Sequence, residues 1–542
     1  MHGKFSLMRF LRYFSFFLVL SLLLFTNCAK RGTITGGPRD TLAPVILSSS
    51  PENFSTHFKS NTIQINFDEF VKLNKVNQQL IISPPMETQP EIIPMGYPSK
   101  FIKIKIFDTL KENTTYSFNF GESIQDNNEG NPYSNYKYVF STGSYIDSLK
   151  LAVTFKDPLG LKKSGSTVNV LLYEAEGFND STVYKKKPLY IASSKDSLAK
   201  AELENLREGS YYLIALQEKS SNYKFDPKSD KIGFLKDKIT VPSDSTYHLT
   251  LFSEAKKSNA YRPAMVSQNK WLVPYEGDVK ELKVTVKGDD KPLKSFFSKV
   301  PGKDSIYVYT PLQKFDSIQF DFNAGDYQKT YRLSQRNVKP VDTLQVKFNK
   351  SGSVQFRDTL AFTTNTPVTA INKELISLTG KDSVQVPFTI KTDTLNNLVK
   401  VLFDKKEDEK YTLSLKPNSI TDFYETSLKT EVVQHFQTGK AADYGTITYR
   451  ISGNIQYPVL FELLTKDEKV YDVLYLTEAQ EVTFKFVAPD KYYVRIIEDS
   501  NKNKKWDSGN YLAKQQPEKV YLFQKEFDVR ANWDIVEELV LP

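Results

Sequence analysis

The chain has 542 residues, a formal net charge of +8 from 72 basic and 64 acidic side chains, 37 Phe, 31 Tyr and a single cysteine. That length exceeds one hydrophobic core and, at ~100–150 residues per domain, calls for four or five domains. One thiol excludes intrachain disulfides, thiolate metal clusters and cysteine nucleophiles, and charges mixed without a Lys/Arg stripe exclude a nucleic-acid footprint.

Lys4, Arg9 and Arg12 precede Phe14–Phe25, a run of 12 apolar or hydroxylated residues. Such a run suits a signal-peptide core and falls short of the ~20 residues that span a bilayer. Cys28 follows almost at once. Residues 1–27 are therefore expected to be a signal peptide, and Cys28 the acylated first residue of a mature lipoprotein. Phe25 and Asn27 depart from the Leu and small residue usual before such a cysteine. Loss of the three basic residues lowers the net charge from +8 to +5. Residues 28–43, with Gly32, Gly36, Gly37 and Pro38, have nothing to bury and are expected to form a flexible lipid-anchored tether.

Alternation then sets in. Ile63-Gln-Ile65-Asn-Phe67, Ile102-Lys-Ile104-Lys-Ile106 and Tyr116-Ser-Phe118-Asn-Phe120 each put apolar side chains on one face of a strand. Turn clusters such as Asp126-Asn-Asn-Glu-Gly-Asn-Pro132 separate them. Half-buried short strands at this spacing predict antiparallel sandwiches.

Two stretches recur. Tyr116-Ser-Phe-Asn-Phe, Ser123-Ile-Gln-Asp126 and Phe140-Ser-Thr-Gly143 return as Tyr411-Thr-Leu-Ser-Leu, Ser419-Ile-Thr-Asp422 and Phe436-Gln-Thr-Gly439. Tyr211-Tyr212 through Phe225-Asp226 aligns without a gap to Tyr492-Tyr493 through Trp506-Asp507. A pair of sandwiches thus occurs twice. The expected modules are an Ig-like domain at 44–145, a transthyretin-like sandwich at 146–253, a sandwich of uncertain type at 254–340, a second Ig-like domain at 341–440 and a second transthyretin-like sandwich at 441–542. The fold class is all-β, a string of antiparallel sandwiches.

The anchor from Cys28 to Pro44, with Gly36-Gly-Pro38 and Asp40-Thr41, together with Phe67-Asp-Glu-Phe-Val-Lys72, Asn77-Gln-Gln-Leu-Ile-Ile-Ser-Pro-Pro85 and Asp126-Asn-Asn-Glu-Gly-Asn131, resembles a group of Bacteroidota outer-membrane lipoproteins with an N-terminal Ig-like domain of the surface-layer type. The match is dense over about residues 28–145. The modules at 146–253 and 441–542 resemble transthyretin- or carboxypeptidase-regulatory-like sandwiches. This resemblance implies a non-enzymatic outer-membrane role, one version being an accessory subunit of β-barrel assembly machinery or of an export complex. Its implied partners are outer-membrane lipid, through the acylated cysteine, and other envelope proteins. Surface-export signals of this type place acidic residues after the cysteine, whereas Lys30 and Arg31 follow Ala29 here. Which face of the outer membrane the protein occupies stays open.

One stretch has metal-ligand spacing. Asp499, Asn501, Asn503, the Lys505 backbone carbonyl and Asp507 place oxygens at alternate positions, as in calcium loops. There is no Gly at the sixth position, and Asn510 stands where a bidentate Glu is usual. The competing reading is an Asx-rich turn whose side chains bond their own backbone. His57, His248 and His435 fall in different modules, and no nucleophile elbow, His-Glu-x-x-His or phosphate loop is present. The leading expectation is a scaffold lipoprotein. A glycan- or nutrient-binding lipoprotein using an exposed Trp271 or Trp533 is the alternative, and an envelope hydrolase the third.

Overall fold

The computed structural model describes residues 40–161, 165–195, 197–335 and 343–541. The expected signal peptide, Cys28 and the tether up to residue 39 lie outside the described residues. The fold is all-β, built of tandem sandwiches whose sheets are mostly antiparallel.

Two compact units hold these residues. The first takes the described residues up to Leu80, with Thr88–Thr109 and Phe118–Val139. Its sheet runs in the order Ile46–Ser50, Thr62–Leu73, Ser99–Lys105, Glu91–Ile93, and Ile124–Asp126 pairs with the far end of Thr62–Leu73. Alternation is obeyed: Ile63, Ile65, Phe67, Ile102 and Ile104 are buried, as are Phe118 and Phe120, while Lys103 and Lys105 are exposed.

The second unit takes Ile81–Glu87, Leu110–Ser117 and the described residues from Phe140 on, and contains four sheet pairs. In the first pair, Tyr190–Lys195, Thr167–Glu174, Gly209–Gln217 and Lys231–Phe234 share a core with Lys200–Leu206, Leu149–Lys156 and Tyr247–Thr250. The last pair repeats this order strand for strand. Val470–Leu476, Val459–Thr465, Asp490–Glu498 and Val520–Val529 close on Val482–Val487, Gly445–Ser452 and Asp534–Val540. Each copy has one parallel neighbour, Tyr247–Thr250 beside Leu149–Lys156 and Asp534–Val540 beside Gly445–Ser452. Between them, one sandwich packs Trp271, Phe320 and Phe322 into its core. The other has a sheet ordered Val346–Phe348, Leu360–Thr364, Leu398–Leu402, Thr389–Asp393, the order seen in the first unit. The counterpart of the long strand Thr62–Leu73 is split there, into Leu360–Thr364 and Val368–Ile371, around Pro367, which has no N–H for a ladder.

The repeated residues do the same work in each copy. The Lys111 N–H donates to the Tyr116 hydroxyl at 2.9 Å, and the Lys406 N–H to that of Tyr411 at 2.7 Å. Tyr116 stacks on Phe140 and Tyr411 on Phe436, both with ring centroids 5.4 Å apart. The Thr142 and Thr438 hydroxyls donate back to the carbonyls of Lys111 and Lys406. In the other pair, the Tyr211 hydroxyl donates to the Arg207 carbonyl and that of Tyr492 to the Ala488 carbonyl, both at 2.9 Å.

Phe118→Ala or Phe120→Ala is expected to cost ~3–5 kcal/mol by emptying a filled site, whereas Ser117→Ala, on the other face of the strand, should leave the unfolding midpoint nearly unchanged. Tyr411→Phe should cost about 1 kcal/mol for its lost hydrogen bond. Denaturant titration of the full chain reads all four.

Candidate functional site

The strand Asp490–Glu498 runs into the segment with calcium-like spacing. Asp499 is fully buried, and its two carboxylate oxygens accept the N–H groups of Asn503 (3.0 Å) and Lys504 (2.9 Å). Glu218 closes the matching turn in the same way, accepting from Asn222 at 2.7 Å and Tyr223 at 3.0 Å. Burial pushes the Glu218 carboxyl up. Further along, Asn501 Oδ1 accepts the Asn503 N–H and Asn503 Oδ1 accepts the Lys505 N–H. The side-chain amides of Asn501 and Asn503 both donate to Asp507 Oδ2. Glu518 holds the ends together through the N–H groups of Ser500 (2.7 Å) and Asp507 (3.0 Å). The structure thus brings Asp499, Asn501, Asn503 and Asp507 together, but with their oxygens turned to N–H donors of the segment. That is Asx-turn geometry.

What the turn presents is a docking element. Beyond Asp507, the backbones of Asn510 and Gln515 bond each other at 2.8 and 2.9 Å and close a small bend that carries Tyr511 and Lys514. Tyr511 is buried among Phe225, Phe234 and Tyr184, ring centroids 6.5, 5.2 and 6.1 Å away, on the outer face of one sheet of the sandwich built from residues 149–252. Its backbone N–H donates to Glu254 Oε1 at 2.6 Å, Ser508 Oγ to the Ser253 carbonyl at 2.6 Å, and Gln516 Nε2 to the Phe234 carbonyl at 2.9 Å. Lys514 pairs with Asp180 at 2.5 Å and lies over the Tyr511 ring. A Cβ on Gly509 would come within 2.6 Å of the Phe252 ring, so only glycine admits this approach.

The seat exists because the receiving sheet is apolar on both faces. In Thr167–Glu174, Val168, Val170 and Leu172 enter the sandwich interior, and Leu171 and Tyr173 pack around Tyr511. Gly209–Gln217 divides likewise, with Tyr211, Leu213 and Ala215 inward, Ile214 and Leu216 outward. Contact is reciprocal. Leu159 packs against Leu460, Ile497 and Val520 of the last sandwich, and its carbonyl accepts from Arg495 Nη1 at 3.0 Å. A cleft of about 650 Å³ beside the junction is lined by Lys156, Glu218, Leu251 and Val520 among others, and by Asp157 ion-paired with Lys231. The last sandwich thus packs directly on the one at 149–252.

The remaining candidates are dispersed. His57, His248 and His435 are all exposed, the latter two bonded to Thr154 and Thr412 across their sheets. Asp68 turns to the Val45 N–H at 2.8 Å. Trp271, expected as an exposed platform, is only 2% exposed, lies edge-on to Phe320 and donates its indole N–H to Thr310. It fills a core because Trp271, Val273 and Tyr275 share one strand face. Trp533 is 52% exposed, beneath the Arg530 guanidinium. Cys28 lies outside the described residues.

The bacterial Ig-like domain model matches residues 40–142. The first expected module is thus Ig-like. No curated protein matches the chain. Among solved structures it is similar to the surface layer protein SbsC, domains 1–6 (12% identity, 90% of this chain, 67% of that one, TM-score 0.16). It is also similar to the T6 backbone pilin of Streptococcus pyogenes serotype M6 (12% identity, 70% of this chain, 80% of that one, TM-score 0.15). At those TM-scores neither similarity bears on function.

Tyr511→Ala is expected to lower stability by roughly 3 kcal/mol. Tyr511→Phe should match or exceed the wild type, since the buried Tyr511 hydroxyl has no hydrogen-bond partner among the described residues. Asp499→Ala should also destabilise, while chelator leaves the wild-type melting curve unchanged. Calorimetry of the full chain distinguishes these outcomes.

Proposed function

We propose that this chain is a lipid-anchored, non-enzymatic scaffold of the outer membrane that holds other envelope proteins, in the manner of the Bacteroidota lipoproteins its first module resembles. The observation that carries the reading is the junction of the two transthyretin-like sandwiches. The turn there has its polar groups bonded internally and Tyr511 committed to a second module. The product of that chemistry is a fixed body rather than a reaction centre. The sandwiches it joins end in long sheet edges, such as the ten-residue strand Val520–Val529. Edges of this kind dock a strand from another protein. Cys28, placed after the apolar run Phe14–Phe25, supplies the anchor. An accessory role in β-barrel assembly or export is the most specific form of the proposal.

Cys28→Ser is expected to abolish acyl labelling and to shift the protein from membrane to soluble fractions. Affinity purification of the wild-type chain from detergent-solubilised membranes should recover a barrel protein in stoichiometric amount. Recovery as a free monomer would overturn the scaffold reading.

A further inference from the structure

The first unit carries a group of large apolar side chains in water. Leu42, Leu47, Phe70, Met95, Tyr97 and Phe101 range from 37% exposed at Phe101 to 73% at Leu42. Strand register gathers them at one end of the sheet. Phe101 is the cross-strand partner of Asn66, whose partner on the other side is Ser48, with Leu47 in the irregularity beside it. Phe70 lies just before the Val71–Ser99 pair, where Ser99–Lys105 begins. Met95 and Tyr97 sit on the connection between Glu91–Ile93 and Ser99–Lys105, which leaves the sheet at that same end. Single exposed apolar residues are ordinary, but a gathered group marks a surface that is covered in use.

The chain itself indicates the cover. Val45 exchanges backbone contact with Asp68, and the Asp40 carbonyl accepts from Asn131, so residue 40 also lies at this end of the sheet. Only the 11 residues 29–39 lie between it and Cys28, a span of at most ~40 Å. A lipid on Cys28 therefore keeps this end of the unit within ~40 Å of the bilayer. The side chains suit that location. Aromatic rings settle at the headgroup level, and Lys100, over the Phe70 ring at 5.6 Å, can reach lipid phosphates. Acids also gather at this end: Asp40, Asp68, Asp126 and Glu129 surround Glu69, whose carboxyl is pushed up by burial and by these like charges, while Asp68 accepts the Val45 N–H and Asp126 those of Glu129, Gly130 and Asn131.

We propose that this end of the first unit is a membrane-contact surface, inserting Phe70, Met95, Tyr97 and Phe101 into the headgroup boundary of the bilayer that carries the Cys28 lipid. It acts as the second of the two signals that stable peripheral anchoring needs. The proposal rests on the lipid-anchor reading, and its test avoids the lipid. The full mature chain with Cys28→Ser should still sediment with vesicles of phosphatidylethanolamine containing a minority of phosphatidylglycerol. Combining Phe70→Ser, Tyr97→Ser and Phe101→Ser should lower the partition coefficient roughly tenfold or more, and Phe107→Ser, at the opposite end of the sheet, should not change it. In a separate chain that keeps the other side chains, Tyr97→Trp should give emission quenched by brominated lipid. No sedimentation of the Cys28→Ser chain, equal partition of the triple variant, or unquenched Tyr97→Trp would each overturn the proposal. Acyl labelling of Cys28 is read independently, so the anchor and the contact surface can fail separately.

Discussion

The insertion of Tyr511 among Phe225, Phe234 and Tyr184 is the contact on which the arrangement of the larger unit depends. The sheet that receives it buries side chains on both faces. Without a cover, Leu171, Tyr173, Ile214 and Leu216 would meet water, at about 25 cal/mol for each Å² of apolar surface exposed. The sandwich's own Val183 and Phe225 supply part of the cover and Tyr511, carried on a bend, completes it, so the bend has to be rigid before it docks. Asp499 and Glu518 provide that rigidity by taking up N–H groups that would otherwise need water. Loop-closure entropy rises only with the logarithm of length, so closing the ~250 residues between Ser253 and Ser508 adds little to the cost of the contact.

The internal repeat shows how a turn became a docking element. Both copies close the turn with a buried or half-buried acid and follow it with an aromatic residue, Phe225 or Trp506. They diverge at the next step. After Asp226 the first copy reaches its next strand at Lys231, whereas after Asp507 the second copy does not resume until Val520. The extra residues are those that carry Gly509, Tyr511, Lys514 and Gln516, every one of them in contact with the other sandwich. The docking contact resides in an insertion on a shared scaffold.

Strand faces and the duplication were legible because both rest on local rules. Period-two alternation put Ile63, Ile65 and Phe67 inward, and the recurrence of Tyr116 and Phe140 as Tyr411 and Phe436 reflects one hydrogen bond and one ring stack made twice. The docking was legible only in its receptor. Val168-Asn-Val-Leu-Leu-Tyr173 and Tyr211-Tyr-Leu-Ile-Ala-Leu216 are nearly continuous apolar runs, the pattern of a sheet covered on both sides. Tyr511, five residues beyond Trp506 in a mostly polar segment, gives no periodic signal, and its seat is set by residues almost 300 positions earlier. Trp271 was readable as core from its alternation with Val273 and Tyr275. The Asp/Asn spacing of residues 499–507 is shared by calcium loops and Asx turns, so the spacing by itself does not separate them.

A scaffold requires that its modules hold fixed positions, and the junction is where this is most directly measured. With Cys28→Ser as background, Asp180→Cys and Lys514→Cys place thiols at the two ends of the ion pair that borders the Tyr511 seat. A short bismaleimide should join them within one chain rapidly and in high yield under native conditions, and adding Tyr511→Ala should slow the reaction severalfold. A crosslinking rate no faster than that of thiols placed on unconnected surfaces, or one indifferent to Tyr511, would contradict the fixed junction and the scaffold built on it.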